Sequence, residues 1–144
     1  MNTVVKIVIL FIFSQVLNAQ ESVSYDIIVN VKNIDNNKGK VFVGLFNSED
    51  TFLTKKFKGE NSTIQNQSCV VTFKNIPAGT YAISLFHDEN ENNKMDINFL
   101  GIPREDYGCS NNATGFMGPP KWKDAKFELT TKTITQTITQ TITL

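Results

Sequence analysis

The chain has 144 residues, and its 14 Lys and Arg residues balance its 14 Asp and Glu residues, so the formal net charge at pH 7 is zero. This length is enough for one domain that buries its own core without a metal or disulfides. The even charge balance gives no electrostatic reason to bind nucleic acid or an anionic membrane, and we predict no nucleic-acid partner.

The first 19 residues have the pattern of a secretory signal peptide. Lys6 supplies a positive charge, residues 7–13 are apolar, and Ala19 is small enough to precede a cleavage site. The apolar run is shorter than the about 20 residues of a membrane-spanning helix. We predict a signal peptide over residues 1–19, one domain over residues 20–144, export to the periplasm or the extracellular space, and no stable membrane insertion after cleavage.

Strand-like segments follow one another along the rest of the chain. Apolar residues alternate over 23–31, and an apolar run at 41–46 follows turn formers at 35–39, which favours a hairpin between the two strands. The remaining strands are predicted at residues 68–73, 81–86, 126–129 and 133–144.

No segment predicts a long amphipathic helix. Residues 48–53 predict a single helical turn, with Phe52 and Phe57 closing one end of the core. The corner at residues 76–81 resembles the one that joins two neighbouring strands in transthyretin-like and carboxypeptidase-regulatory-like sandwiches. The predicted fold class is therefore all-β, a single antiparallel Ig-like or transthyretin-like β-sandwich of about seven strands, with one long functional loop from Asp88 to Lys123.

Cys69 and Cys109 are the two cysteines of the chain. An oxidising destination permits a disulfide between them. The alternative is that Cys69 packs in a strand as a small apolar side chain and that Cys109 is free in the loop.

The loop that begins at Asp88 has oxygen-bearing side chains at alternate positions, a spacing that wraps a hard cation such as Ca²⁺. Phe99 occupies the position of the closing Glu of a helix-loop-helix site, and no flanking helices are predicted, so an EF-hand is rejected. The closing carboxylate would come from Glu105 or Asp106. The alternative is a series of Asx turns without metal. The predicted metal-binding set is Asp88, Asn90, Asn92, the carbonyl of Lys94, Asp96 and Glu105.

His87 is the only histidine, which excludes a multi-histidine zinc site. A small hydrolase is the alternative function, in which His87 would act with Ser110 and with Asp88 or Glu105. Our main prediction is a protein without catalytic activity.

Four aromatic residues lie in or beside the loop: Phe99, Tyr107, Phe116 and Trp122. Aromatic side chains on a loop can present a platform to sugars or peptides, so we expect a protein or carbohydrate partner. The alternative is that Phe99 and Trp122 cap the core. A third hypothesis is assembly of several copies through the Thr-rich final strand.

The second half of the chain contains a series of short motifs. They are His87-Asp88-Glu89-Asn90, Lys94-x-Asp96-x-Asn98, Leu100-Gly101-Ile102-Pro103-x-Glu105, Tyr107-Gly108-x-Ser110-Asn111-Asn112 and Gly118-Pro119-Pro120-x-Trp122-x-Asp124-Ala125-x-Phe127. In this order they resemble the bacterial family known as domain of unknown function 2141. The family pattern commonly has Gly at the position of Asn93 and an aromatic residue at the position of Cys109. The resemblance implies a small exported β-sandwich domain with no established enzyme activity.

Overall fold

The computed structural model describes residues 23–130 and 137–144, with the side chains of residues 137–140 left out. The predicted signal peptide and residues 133–136 of the predicted final strand lie outside this part of the chain. The described elements also include a 3₁₀ turn at Ser110–Asn112 and a short helix, α1, at Trp122–Ala125. The strands are β1 (Ser24–Lys32), β2 (Lys40–Phe46), β3 (Lys58–Thr63), β4 (Cys69–Pro77), β5 (Gly79–Asp88), β6 (Tyr107–Cys109), β7 (Phe127–Leu129) and β8 (Thr137–Thr143).

These strands form two sheets, which confirms the all-β prediction. One sheet has three strands in the order β4-β1-β8, and the other has the order β3-β2-β5-β6, with β7 paired to the beginning of β5. The described residues contain eight strands. One detail of the prediction is wrong: the fold is not wholly antiparallel, because β8 runs parallel to β1.

The predicted hairpin between β1 and β2 is also wrong, because the two strands lie in different sheets. β1 pairs with β4 and β2 pairs with β5. Every second residue of both strands is buried, so each strand has one side that faces the core. The two strands face this core from opposite sheets, and the turn at 33–39 carries the chain from one sheet to the other. The corner at residues 76–81 does the same between β4 and β5, which are therefore not neighbours in one sheet.

The inward faces of both sheets share one apolar core. It includes Ile27 and Val29 from β1, Leu85 from β5 and Phe73 from β4, all at most 1% exposed. Burial of each such side chain contributes about 1.5–3 kcal/mol. This shared core is what holds the two sheets together.

A second, smaller apolar cluster lies on the other side of the five-stranded sheet. Phe46 and Ala82 are paired across β2 and β5, next to core-facing residues, and therefore point away from the main core. Trp122 of α1 covers them, and Phe52 packs edge-on against both Phe46 and Trp122. The helical turn predicted at 48–53 is only a hydrogen-bonded turn, but Phe52 closes this cluster.

The strand β3 was missed because its sequence is polar and does not alternate. Lys58 begins this strand opposite Leu45. Phe57 precedes it and is 41% exposed, so it does not close the core as predicted.

Both cysteines are buried and free, so the disulfide is not formed. Cys69 packs into the main core from β4, as the alternative predicted. Cys109 lies in β6 and belongs to the second cluster, instead of being free in a loop. In the described part of the chain, no helix is long and apolar enough to cross a membrane.

Candidate functional site

The predicted metal loop leaves the five-stranded sheet at the end of β5 and returns to it at β6. Asp88 is the last residue of β5 and lies opposite Lys40, the first residue of β2. The preceding turn packs tightly against this point: Gly39 has φ +64°, and a Cβ there would lie 1.9 Å from the carbonyl oxygen of Asp88. Only glycine fits this contact, which fixes the start of the loop.

Asp88 anchors the first turn of the loop. Its side chain is fully buried, and its two carboxylate oxygens accept the backbone N–H groups of Asn92, at 3.1 Å, and Asn93, at 2.8 Å. Asn93 has φ +63°, the left-handed conformation that asparagine tolerates better than most residues. The loop therefore closes back on Asp88 within five residues.

Asp96 accepts hydrogen bonds from the side chains of Asn90 and Asn92. The Nδ2 atoms of Asn90 and Asn92 donate to its carboxylate at 2.7 and 2.9 Å. These hydrogen bonds, from Asn92 first and then Asn90, lower the pKa of Asp96, and the charges of Lys94 and Arg104 act in the same direction. The loop thus favours the ionised carboxylate.

The side-chain oxygens of the same asparagines form Asx turns. Asn90 Oδ1 accepts the backbone N–H of Asn92, and Asn92 Oδ1 accepts the backbone N–H of Lys94. This is the series of Asx turns that the sequence offered as the alternative to a metal-bound loop. Each predicted side chain from Asp88 to Asp96 is therefore brought into one hydrogen-bonded cluster.

Glu105 joins this cluster from the other end of the loop. Its Oε2 atom accepts the backbone N–H of Asp96 at 3.0 Å, whereas its Oε1 atom is buried and has no hydrogen-bond partner. Asp106, the other predicted closing residue, has an exposed side chain. Within residues 23–130 and 137–144, no group of three or more His, Cys, Asp and Glu side chains is placed to hold a metal, so a cation here would depend on asparagine oxygens as well.

His87 and Ser110, the residues of the hydrolase alternative, are both fully buried. His87 Nε2 donates to the carbonyl oxygen of Lys38 at 2.7 Å, and the nearest carboxylate atom to Nδ1 belongs to Glu89 at 4.0 Å. The Ser110 hydroxyl donates to the carbonyl oxygen of Ala125 and accepts the backbone N–H of Ile83. Both side chains thus hold backbone segments together.

The four aromatic residues of the predicted platform are not brought together. Trp122 is 9% exposed and covers the second cluster, as the alternative predicted. Tyr107 lies in β6 opposite Phe86. Phe99 is 94% exposed, so the prediction that it could cap the core is wrong, and Phe116 is 93% exposed.

The structure contains a hairpin at residues 97–103 that the sequence analysis does not predict. Asn98 Oδ1 accepts the backbone N–H groups of Leu100 and Ile102, and the Asn98 N–H donates to the Ile102 carbonyl. Ile97 and Pro103 form a β-bridge at its base. Asn98 and Gly101 were the sequence signals of this turn, because both residue types favour tight turns.

Comparison with known proteins identifies a family but no activity. The model of a family described as "Uncharacterized protein conserved in bacteria" (DUF2141) matches residues 29–137, well over half of the chain. No curated protein and no solved structure matches the sequence.

Proposed function

Starting from the fact that this chain belongs to the DUF2141 family of uncharacterized bacterial proteins, we propose that it is an exported, non-catalytic binding module whose loop between β5 and β6 is stabilised by Ca²⁺. Its partner is a protein or a carbohydrate outside the cytoplasm. The loop would bind the ion through Asp88, Asn90, Asn92, the carbonyl of Lys94, Asp96 and Glu105.

The observation that carries this proposal is the buried, unpaired Oε1 atom of Glu105 beside Asp96. A buried carboxylate oxygen without a partner is destabilising, and a bound cation would supply that partner. Among the described residues, Asp88, Asp96 and Glu105 form no ion pair with Lys or Arg. Their hydrogen-bond donors are amide groups, and Lys94 and Arg104 act on Asp96 only through their charge, so a divalent cation would add a direct positive partner.

Binding would require a local rearrangement of the two asparagine amides. Asn90 and Asn92 direct nitrogen atoms at Asp96, and Ca²⁺ is bound by oxygen. A half-turn of each amide group exchanges nitrogen for oxygen at little steric cost, because the two atoms are nearly the same size. It also breaks the Asx-turn hydrogen bonds that the two Oδ1 atoms accept, and the bound cation has to offset that loss. The resulting site is weak, with a Kd on the order of 10⁻⁴ to 10⁻³ M, as in other extracellular modules.

The burial of His87 and Ser110 supports a non-catalytic protein. A general base and a nucleophile must reach the substrate, and both of these side chains are 0% exposed and bonded to backbone groups. An assay for ester or peptide hydrolysis with the wild type and with His87→Ala tests this part. Turnover that disappears in His87→Ala would establish the hydrolase instead.

Thermal unfolding with and without the ion tests the calcium part. Ca²⁺ at 10 mM, which is about 10 to 100 times this Kd, should stabilise the protein by about 1.4–2.7 kcal/mol relative to EDTA and raise the Tm by several degrees. The same concentration of Mg²⁺ should raise the Tm less, because Mg²⁺ gives up its water ligands reluctantly.

Asp96→Asn removes one carboxylate from the cluster and should abolish most of the Ca²⁺ effect. Asp106→Asn is the matched control, because its side chain is exposed in the same loop and should leave the effect unchanged. An unchanged wild-type Tm in 10 mM Ca²⁺, or an equal rise in Asp96→Asn, would contradict the calcium site.

A further inference from the structure

The hairpin at 97–103 holds large apolar side chains out into solvent. Its exposed residues are Ile97 at 59%, Phe99 at 94%, Leu100 at 67% and Ile102 at 54%. No acidic or basic residue lies between Ile97 and Pro103. Exposed apolar residues are ordinary when scattered singly, but four on one short turn mark an interaction site.

The hairpin is built to keep this shape. Besides the Asn98 hydrogen bonds, the Gly101 N–H donates to the Asn98 carbonyl, and the Arg104 N–H donates to the Asp96 carbonyl at 2.8 Å. The apolar tip is therefore fixed to the rigid cluster around Asp96. Its exposure is a property of the folded loop and does not require local unfolding.

We propose that this hairpin is a lipid-contact tip, which inserts into the outer few ångströms of a phospholipid bilayer. Phe99 and Leu100 would enter the boundary between headgroups and acyl chains. Lys94 and Arg104 are exposed on the two sides of the hairpin, where their charges can meet lipid phosphates. The contact is reversible and peripheral, and no part of the chain has to span the membrane.

Two features favour a lipid surface over a protein groove. First, the tip is a convex turn with its apolar side chains at the extreme end, and a fluid bilayer can accommodate such a shape without a preformed complementary pocket. Second, Lys94 and Arg104 are exposed near the two ends of the uncharged segment, whereas the neighbouring carboxylates of Asp96 and Glu105 accept hydrogen bonds within the loop, so that Asp106 is the exposed acid nearest to the tip in the sequence. Exposed cations next to an apolar segment suit the boundary between an apolar layer and a phosphate layer. The proposal does not depend on Ca²⁺, because the hydrogen bonds that form the hairpin involve protein groups alone.

Vesicle binding by the exported form of the protein tests the proposal. Vesicles of phosphatidylethanolamine and phosphatidylglycerol are titrated in EDTA and again in Ca²⁺. Burial of one Phe side chain in an apolar medium changes a partition constant by roughly tenfold to a hundredfold. Phe99→Ser should therefore weaken binding by about tenfold or more, with an unchanged Tm because this side chain packs against nothing.

Phe116→Ser is the matched control, since Phe116 is an equally exposed phenylalanine on another loop. It should alter binding less than about twofold if the hairpin is the contact. The depth of each position is tested with Phe99→Trp and Phe116→Trp, after subtraction of the wild-type emission, which comes from Trp122. The remaining emission of Phe99→Trp should shift to the blue on vesicles and be quenched by brominated lipids, and that of Phe116→Trp should not.

Vesicle binding that is absent in both buffers, or equally weakened by Phe99→Ser and Phe116→Ser, would overturn the proposal. Unquenched emission from Phe99→Trp on vesicle-bound protein would also overturn the lipid-contact proposal and would favour a protein partner for the hairpin. Failure of the calcium proposal is distinguishable, since it would appear as an unchanged Tm in 10 mM Ca²⁺ and would leave vesicle binding in EDTA as it is.

Discussion

Ser110→Ala should destabilise the whole fold, because the Ser110 hydroxyl ties three elements together. Oγ accepts the backbone N–H of Ile83 in β5 at 2.9 Å and donates to the carbonyl of Ala125, at the end of α1, at 2.5 Å. The residue is fully buried, so water cannot replace either bond in the variant. Each buried backbone group that is left without a hydrogen-bond partner costs about 1–3 kcal/mol. Because the structure relaxes in part, we expect the free energy of unfolding to fall by about 2–4 kcal/mol in total.

Urea unfolding followed by far-UV circular dichroism measures this loss. The midpoint should fall while the m-value stays constant, since the surface exposed on unfolding is unchanged. The matched control is Ser62→Ala, in which the lost hydrogen bond to the Thr63 carbonyl is exposed and the expected change is within about 0.5 kcal/mol. A Ser110→Ala midpoint equal to that of Ser62→Ala would refute the structural role of the hydroxyl.

Two further predictions concern the turn beside the loop and the buried thiols. Gly39→Ala should lower the free energy of unfolding in urea by about 2–4 kcal/mol, because it combines a left-handed alanine with a clash against the Asp88 backbone. Gly101→Ala is the control: its φ is also positive, but open space surrounds it, and the loss should be about 1 kcal/mol or less. Equal losses in the two variants would contradict the contact between Gly39 and Asp88. Neither Cys69 nor Cys109 should react with a thiol reagent at pH 8 until urea unfolds the protein. Burial raises the pKa of the Cys69 thiol to about 11. Burial also raises the pKa of the Cys109 thiol above its ordinary value, and a hydrogen bond with Ser84 reduces that shift. Since the native pKa values are raised, the stability they confer is complete below the ordinary thiol pKa of about 8.5 and decreases as pH rises from there towards 11. Rapid labelling of the native protein would show that the thiols are not enclosed as described.

Much of the candidate site could be predicted from the chain because it depends on local bonds. Asp88, Asn90 and Asn92 accept backbone N–H groups two to five residues further on, and such bonds follow from short-range spacing. Glu105 was included in the predicted set, but its contact with the loop does not follow from such spacing, which suits Asp106 equally well. That contact depends on how β6 returns to the sheet beside β5, which places the carboxylate of Glu105 at the backbone of Asp96.

The sequence by itself determined the strands that alternate and the loop that follows β5, because alternation and turn-forming residues act over a few neighbours. Only the tertiary structure decided the partners of those strands. β1 and β2 are adjacent in sequence but lie in different sheets, and the parallel pairing of β1 with β8 joins the two ends of the domain. The physical reason is that burial of two apolar faces against each other is a property of the assembled core, to which residues far apart in the chain contribute together. The same distinction holds for Phe99 and Trp122. Both are aromatic residues in or beside the predicted loop, but Phe99 is exposed and Trp122 is buried.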